Sequence, residues 1–490
     1  MQLSASDFYV YYSPHRCERR AYLRHIGTPE EPASPYEEVL RRLGKRHEHE
    51  HLSTLGGAVD LSDGSKEQRR QRTREAVEKR APAIYQPAFA ATVDLGGEKC
   101  QVIGEPDFLV WTGSGYVIRD SKMSRRITDK EHPEIIFQLG TYGLLYQANF
   151  GAPPAGLQVH SGSGEIVDVS CEPERALGEL NVLRSIRRLS AEPFGAVGWS
   201  KCGSCPFRPH CWDEAEAKEA VALVYGVDES LAFALHEQNI DTVAQLLDTY
   251  TEDTLADFQR PWGAKLQRVG KKSTGIMLMA RALHTGTQTV LQTPQVPNCP
   301  NYVMFDLEGM PPQLQELDKV YLWGMQVFGE KPSSYMPAVA GFGADGERQG
   351  WESFLQKANP IFGAYGEIPF VHWADYEATH LKACMARYGD RDGIGARVQR
   401  NLLNLLPITR DSIALPLPSY SLKVIEKYIG FKRTQEEFGG DWSMAKFIEA
   451  TETEDEKQRA EVMNQILVYN KEDLGATWAV LTWLRQARLN

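Results

Sequence analysis

The chain has 490 residues, of which 42% are hydrophobic and 24% are charged, as is usual for soluble globular proteins. Single cores rarely grow beyond about 250–300 residues, so this length predicts two or three domains. The formal net charge of −11 argues against a uniformly basic surface, but enzymes that hold metal ions need clusters of carboxylates, so charge alone excludes no such function.

Export and membrane insertion are not expected. No apolar run approaches the roughly 20 residues that span a bilayer, and the N-terminal sequence MQLSASDFYVYYSPHRC has neither the basic nor the apolar segment of a signal peptide. We therefore expect a cytoplasmic protein with no membrane partner. Eight cysteines are too few for a disulfide-built fold in a chain of this length.

The first part of the chain contains basic segments and a histidine in a predicted helix. Arg41–Arg46 and Lys66–Arg80 are rich in lysine and arginine, which suits either contacts with phosphates or a solvated helix face that also carries glutamates. Both interpretations stay open at this point. His47, in the pattern Gly44-x-x-His47-Glu48, offers an imidazole ligand from a helix.

Residues 101–123 predict a β-hairpin with Thr112–Gly115 as its loop. With that loop, Asp107 faces Asp120, and opposed side chains point to one face with Cβ atoms about 5 Å apart. Lys122 projects to the same face because it lies two residues beyond Asp120. Two such carboxylates repel each other unless a cation lies between them, so this group suits hydrolysis assisted by Mg²⁺ or Mn²⁺. The alternative is a surface hairpin with an ordinary Asp–Lys ion pair.

Further polar residues favour catalysis over that alternative. Gln138 and Tyr142 lie at i and i+4 of a predicted helix and share one face. With His47, the two aspartates and the lysine, they resemble the RecB-like branch of the PD-(D/E)XK nucleases over roughly residues 1–215. The similarity is greatest to the iron–sulfur group, which includes the CRISPR adaptation nucleases and AddB helicase-nuclease subunits. It implies a restriction-endonuclease-like fold and catalytic roles for His47, Asp107, Asp120, Lys122, Gln138 and Tyr142, with His47, Asp107 and Asp120 as metal ligands.

Four cysteines frame this region, one near the N-terminus and three in a Cys-x2-Cys-x5-Cys cluster. Four thiolates suit either a [4Fe–4S] cluster or zinc, and the neighbouring His15 and His210 permit a mixed ligand set. In the resembled family this pattern binds [4Fe–4S], with zinc as the alternative here. In either case we expect a structural centre that joins the two ends of the region. The implied ligands are Cys17, Cys202, Cys205 and Cys211.

The middle of the chain predicts a small, wholly helical domain at 216–290, with the apolar run 243–247 capped by Asp241. Residues 265–272 form a Val-Gly turn flanked by lysines, similar to helix-hairpin-helix elements that bind a backbone phosphate. An ordinary α-hairpin between two domains is the alternative. The proline-bearing segment 293–300 predicts a linker.

A second group of acids begins in a predicted strand. Asp306 and Glu308 are two residues apart, so their carboxylates share the face opposite Val303, Phe305 and Leu307, which we expect to be buried. Far downstream, one more tyrosine and one more acid share a face of a predicted helix at i and i+4. These are Tyr469 and Asp473.

In this order the segments resemble the ribonuclease H-like 3′–5′ exonucleases of the DnaQ type, in the DEDDy variant, over roughly residues 300–490. The segments 419–423 and 430–431 are also similar to this subfamily. Where the family's second motif has an aromatic residue followed by Asp, this chain has Tyr376-Glu377, with Asp375 nearby as a competitor. The resemblance implies two bound metals and catalytic roles for Asp306, Glu308, Glu377, Tyr469 and Asp473, of which the four acids are the metal ligands.

The sequence therefore predicts a multidomain α/β protein with a restriction-endonuclease-like domain at 1–215, a helical domain at 216–290 and a ribonuclease H-like domain at 291–490. The leading hypothesis is a metal-dependent nuclease that cleaves and trims nucleic acid at single strands or ends, DNA rather than RNA. The alternative is a nucleic-acid-binding scaffold subunit of a repair or defence complex with one or both sites inactive. The resemblance also implies a helicase or defence-complex partner, since no Gly-x4-Gly-Lys-Ser/Thr phosphate loop occurs in the chain.

Overall fold

The computed structural model describes residues 1–310, 319–343, 345–435 and 439–488. Within these ranges, no helix combines the length and the apolar character that crossing a bilayer requires. Three stretches of chain follow one another, an N-terminal region of mixed helices and strands, a middle region, and a C-terminal region built on a five-stranded sheet.

The N-terminal region builds two sheets that helices cover. Its elements are β1 (Gln2–Ser4), α1 (Asp7–Tyr12), α2 (Glu18–Ile26), α3 (Pro35–Thr54), β2 (Ala58–Asp60), α4 (Lys66–Glu78), β3 (Ala83–Tyr85), β4 (Phe89–Leu95), β5 (Glu98–Gly104), β6 (Phe108–Trp111), β7 (Tyr116–Ser121), α5 (Pro133–Phe150), β8 (Gly156–His160), β9 (Ile166–Val169), α6 (Pro173–Arg187) and α7 (Arg208–Ala217). One sheet has the order β2-β3-β6-β7-β8-β9 and the other β1-β5-β4.

The predicted hairpin is confirmed at the centre of the larger sheet. β6 and β7 pair antiparallel with Trp111 opposite Tyr116 and Phe108 opposite Arg119, which is the expected register. β8 then pairs parallel to β7 after the crossover through α5. A central position with both neighbours paired fixes the backbone at the end of β7, which is where the predicted site residues lie.

The middle region differs from the wholly helical prediction. Its elements are a 3₁₀ turn (Val221–Leu223), α8 (Glu229–His236), α9 (Val243–Thr249), α10 (Glu252–Asp257), β10 (Gln259–Trp262), β11 (Lys265–Arg268), α11 (Lys272–Thr285) and β12 (Thr289–Val290). β10 and β11 form an antiparallel hairpin, because Pro261 cannot continue a helical hydrogen-bond pattern and Gly263 turns the chain with a φ of 60°. The cap of α9 is Thr242 rather than the predicted Asp241, since the Thr242 side chain accepts from the N–H of Gln245.

The C-terminal region is a mixed sheet between helices. Its elements are β13 (Asn301–Met310), β14 (Lys319–Gly329), β15 (Met336–Val339), α12 (Gly346–Tyr365), β16 (Phe370–His372), α13 (Tyr376–Tyr388), a 3₁₀ turn (Arg391–Gly393), α14 (Ile394–Arg400), β17 (Leu402–Asn404), α15 (Leu405–Ser412), β18 (Ile413–Ala414), α16 (Leu422–Tyr428), α17 (Gly440–Glu452) and α18 (Glu456–Gln486). The strand order is β15-β14-β13-β16-β17, in which β14 is antiparallel to the other four strands.

The middle and C-terminal regions share one hydrophobic core. Leu246 and Met277 of the middle region lie in the same buried cluster as Tyr302 and Met304 of β13. β12 also pairs with β18, which adds backbone hydrogen bonds between the two regions. The middle region therefore supports the face of β13 on which the acids of the second predicted site lie.

Helix α3 links the N-terminal and C-terminal regions. Val39 and Leu43 are buried in the C-terminal core cluster, and Arg42 and Arg46 form ion pairs with Glu452 at the end of α17. These basic residues of the segment 41–46 thus contact another part of the same chain. The helix that carries His47 is consequently held by both regions.

Candidate active sites

The hairpin β6–β7 brings the first group of predicted residues together. The backbone N–H of Asp107 donates to Oδ1 of Asp120 (2.9 Å), and the N–H of Ser121 donates to Oδ2 of Asp107 (2.8 Å). Nζ of Lys122 lies 3.1 Å from Oδ2 of Asp120. These contacts follow from the hairpin register, which places the three side chains on one face.

The buried carboxylate of Asp120 and the partly buried carboxylate of Asp107 lie beside one lysine and favour the binding of a cation. Burial, followed by the charge of Asp120, raises the pKa of Asp107 well above its ordinary value. Burial alone would lower the pKa of Lys122, but the carboxylates of Asp120 and Asp107 raise it well above its ordinary value, so the lysine stays charged. A divalent cation between the aspartates would relieve the repulsion that remains.

Helix α5 places Gln138 and Tyr142 against this site. Both side chains are buried, and Oε1 of Gln138 has no hydrogen-bond partner within the part of the chain that the structure describes. The hydroxyl of Tyr142 donates to the carbonyl of Glu105 (3.1 Å). A Cβ atom at Gly104 would lie 2.7 Å from the Tyr142 ring, so glycine is needed there for the ring to pack beneath the turn that leads to Asp107.

The side chain of His47 is buried. Its ring stacks on that of His160 with centroids 4.2 Å apart, and its Nε2 is 3.4 Å from the carbonyl oxygen of His160. That carbonyl also accepts the backbone N–H of Lys122 (2.9 Å). Among the described residues, His47 belongs to no group of three ligand side chains whose ligand atoms all lie within 4.8 Å of one another.

Two polar residues near Asp107 were missed. The side-chain amide of Gln86 donates to Oε1 of Glu48 (2.7 Å) and to Oδ1 of Asp107 (3.3 Å). Glu48 directly follows the histidine in the quoted helix pattern, and that adjacency is the one sequence signal that pointed to it. Gln86 has a positive φ of 54° outside any strand, and local periodicity gives no indication of it.

The second group of acids forms a compact carboxylate cluster. Asp306, Glu308 and Asp473 each place a carboxylate oxygen within 4.8 Å of the others. Burial, followed by the charge of Asp473, raises the pKa of Glu308 to about 8, and the same two causes raise the pKa of Asp306 well above its ordinary value. Val303, Phe305 and Leu307 are buried on the opposite face of β13, as predicted.

These acids line an open cleft of ≈ 530 Å³. Glu377, in the first turn of α13, and Tyr469, one turn before Asp473 on α18, line the same cleft. The competing Asp375 is exposed and accepts from the side-chain amide of Asn404 (3.0 Å). Of the two acids considered for this position, Glu377 is the one that lines the cleft, where its Oε2 lies 3.2 Å from Nδ1 of His372.

Asn470 orients the central aspartate and was missed. Its side-chain amide donates to Oδ2 of Asp306 (2.7 Å), while its Oδ1 accepts from the hydroxyl of Tyr335 (2.8 Å). Gly324 lies opposite Asp306 in the sheet, and a Cβ atom there would be 1.8 Å from Oδ1 of Asn470. Asn470 follows Tyr469 in the sequence, but nothing local indicates that its amide reaches β13.

The comparisons with known proteins agree with this geometry. A family model of the PD-(D/E)XK nuclease superfamily matches residues 15–212, and one of the RNase H superfamily matches residues 303–485. The chain joins a PD-(D/E)XK nuclease domain to an RNase H domain. The predicted fusion and its multidomain α/β fold are thereby confirmed.

Other comparisons are less informative. No curated protein matches the chain. The solved structure described as "Crystal structure of SSO0001" aligns with 36% of this chain and 96% of its own, at 14% identity and a TM-score of 0.20, and a TM-score of that size supports no inference about fold or function.

In the PD-(D/E)XK domain, the four predicted cysteine ligands line one small cavity between α2 and α7, together with His15 and three arginines. None of the four is in a disulfide, and among the described residues no three of their sulfurs all lie within 4.8 Å of one another. Burial raises the pKa of the Cys211 thiol to about 12. His210 contacts Glu192 (3.3 Å) and does not line the cavity.

In the RNase H domain, two cations contact one of the clustered acids. Lys423 and Arg433 both form ion pairs with Oδ1 of Asp473. Arg433 is nearly fully buried and also makes two parallel hydrogen bonds, each of 2.7 Å, with Glu426. Lys423 is more exposed. A metal ion beside Asp473 would therefore be bound in the presence of two fixed positive charges.

Removing one of these charges should strengthen metal binding. We expect Lys423→Met to bind Mn²⁺ about tenfold more tightly in calorimetric titrations, because a unit charge close to a dication opposes its binding. Lys446→Met is the matched control, since Lys446 lies on α17 and pairs with Glu449 (3.0 Å) instead. Weaker Mn²⁺ binding by Lys423→Met would show that the lysine positions Asp473 and does not oppose the ion.

Proposed function

We propose that the protein is a metal-dependent nuclease that cleaves and trims DNA at single strands or ends, with an active site in each nuclease domain. The observation that carries the proposal is the cluster of Asp306, Glu308 and Asp473 in an open cleft of the RNase H domain. Hard divalent cations such as Mg²⁺ and Mn²⁺ prefer carboxylate oxygens, and the three acids fit such an ion. Bound there, it would supply Lewis-acid stabilisation and a more acidic water.

The other residues of this cleft have roles that follow from their positions. Asn470 holds the Asp306 carboxylate through a hydrogen bond. Glu377 faces the cluster from α13 and is proposed as a further metal ligand, while Tyr469 is proposed to orient the attacking water. Glu377 lies in the first turn of α13, two residues after the N-cap position of Asp375, and lines the cleft from there.

The PD-(D/E)XK site is proposed to act with a separate set of groups. Asp107 and Asp120 would hold the metal, and charged Lys122 would contact the phosphate that is attacked. His47 is proposed to support this site, with Gln138 and Tyr142 behind it. Nε2 of His47 lies 3.4 Å from the carbonyl oxygen of His160, which also accepts the backbone N–H of Lys122.

For the cysteine centre we propose a [4Fe–4S] cluster. A single zinc ion with Zn–S bonds of about 2.3 Å brings its four sulfurs to within roughly 4 Å of one another. In the described part of the chain no three of these four sulfurs lie mutually within 4.8 Å. A cluster with iron at alternate corners of a cube separates its thiolates more widely. The arginines that line the cavity would balance the negative charge of four thiolates and their cluster.

One observation favours a competing function, a nucleic-acid-binding scaffold in a repair or defence complex with an inactive RNase H site. The pairing of Asp473 with Lys423 and Arg433 opposes metal binding, and Glu377 departs from the usual aspartate. The presence of Asp107, Asp120 and Lys122 together on one face of the hairpin argues against inactivity of the PD-(D/E)XK site. Both the active nuclease and the binding scaffold are proposed to work with a helicase partner.

The proposal is tested by cleavage assays on anaerobically purified protein. The substrates are 5′- and 3′-labelled single- and double-stranded DNA and RNA, with Mg²⁺, Mn²⁺ or EDTA. We expect metal-dependent cleavage of DNA by the wild type and none by the double variant Lys122→Ala/Asp306→Ala. No cleavage by the wild type in either metal would contradict the proposal, and cleavage of RNA alone would correct the substrate.

A further inference from the structure

The β10–β11 hairpin of the middle region exposes a tryptophan that is held from behind. Trp262 is 57% exposed, although folding usually buries most of an indole. The guanidinium carbon of Arg260 lies over the ring, 4.7 Å from its centroid. Arg260 is itself buried and donates to Asp228 (2.9 Å) and Ser230 (2.6 Å). A fixed cation therefore supports one side of the indole while the remainder faces solvent.

The hairpin and the segment that follows it in sequence are basic in a chain that is acidic overall. Between Asp257 and Asp306 the sequence contains no acidic residue and six lysines and arginines. The three arginines pair with acids outside this stretch. Lys265, Lys271 and Lys272 are exposed, and in the described ranges none of them has an acidic partner. Lys265 lies directly opposite Trp262 across the hairpin.

We propose that this hairpin binds single-stranded nucleic acid, with a base stacked on Trp262 and the phosphates contacted by Lys265, Lys271 and Lys272. Every base offers a π-face to an exposed indole, and exposed lysines in the hairpin and at the start of α11 match the negative backbone of a strand. A duplex keeps its bases stacked on each other and offers no free face. The inference rests on the proposed nuclease function and adds a strand-binding surface outside both active sites.

Binding is measured by fluorescence anisotropy of labelled oligo(dT), oligo(U) and a matched duplex, in EDTA so that no strand is cut. We expect Trp262→Ala to weaken single-strand binding about tenfold, the usual effect of losing one stacked base. Trp262→Phe should bind single strands more tightly than Trp262→Ala and less tightly than the wild type, because the smaller phenyl ring can still stack on a base. The triple variant Lys265→Gln/Lys271→Gln/Lys272→Gln should weaken binding and flatten its dependence on salt.

Phe342→Ala is the matched control. Phe342 is 43% exposed and has the guanidinium of Arg459 over its ring at 5.2 Å, but it lies outside the acid-free stretch. We expect this variant to bind like the wild type.

The outcomes separate this inference from the proposed function. The hairpin inference is overturned if the Trp262→Ala variant and the lysine variant both bind single strands as tightly as the wild type. This holds even when the wild type cleaves DNA. The surface would then be left for a protein partner. A wild type that neither binds nor cleaves contradicts both proposals. If Trp262→Ala lowers the melting temperature, its weaker binding could come from damage to the fold. The lysine variant then decides whether the hairpin binds the strand, because its three substituted side chains are exposed and the fold should tolerate their loss.

Discussion

Replacing Asp306 by asparagine is expected to eliminate metal binding in the RNase H domain and to reduce cleavage by that domain by roughly 100-fold or more, as loss of a central electrostatic group usually does. Asp306 lies beside both Glu308 and Asp473, and burial, followed by the charge of Asp473, raises the pKa of Asp306 well above its ordinary value. Asparagine keeps the shape of the side chain and removes its charge. The fold should tolerate the change, because it relieves repulsion in the metal-free protein.

The measurements are the Mn²⁺ stoichiometry by calorimetry, the melting temperature in EDTA and the lengths of the cleavage products. Asp375→Asn is the matched control, since Asp375 is a neighbouring acid that lies outside the cleft. We infer that the PD-(D/E)XK domain cuts and the RNase H domain trims 3′ ends, so Asp306→Asn should leave longer products. An unaltered length pattern would refute this division of labour while leaving cleavage by the first domain intact.

Replacing Cys205 by alanine is expected to remove iron from the anaerobically purified protein and to lower the melting temperature of the PD-(D/E)XK domain by roughly 10 °C, because a bound metal centre contributes several kcal/mol to folding. The cavity that Cys205 lines joins the start of α2, capped by Cys17, to α7 near the end of the domain. Without the cluster, packing and the ion pair of Arg19 on α2 with Glu214 on α7 would hold these segments together.

Iron and zinc contents, the visible absorption of iron–sulfur centres and thermal unfolding provide the measurements. Cys171→Ala is the control, since Cys171 belongs to the same domain but lies outside the cavity. A wild type that contains zinc and no iron would support the alternative centre. Unchanged metal content and unfolding temperature in Cys205→Ala would exclude a role for this cysteine in any such centre.

The sequence predicted those parts of the sites that depend on short-range geometry. A four-residue loop fixes the register of β6 and β7 and thereby the approach of Asp107 to Asp120. Alternation along one strand likewise places Asp306 and Glu308 on a common face. These inferences needed no knowledge of how distant elements pack.

The remaining features depend on contacts between residues that are far apart in sequence. The ion pairs of Asp473 with Lys423 and Arg433 span 50 and 40 positions, and the hydrogen bond of Asn470 with Asp306 spans 164. No local period encodes such contacts, because they form only when α16 and α18 pack beside β13. The hairpin at 259–268 was missed for a different reason, since its strands are short and mostly exposed and lack the apolar alternation of a buried strand.

The position of α3 has a consequence for how this protein can be divided. The helix belongs to the PD-(D/E)XK domain and carries His47, yet Val39 and Leu43 on it fill part of the RNase H core. A fragment that ends before the RNase H domain would expose these two side chains to water, and the complementary fragment would have a hole where they pack. The two catalytic halves are therefore interdependent as folded bodies, and the activity of either one is best measured by silencing the other within the intact chain.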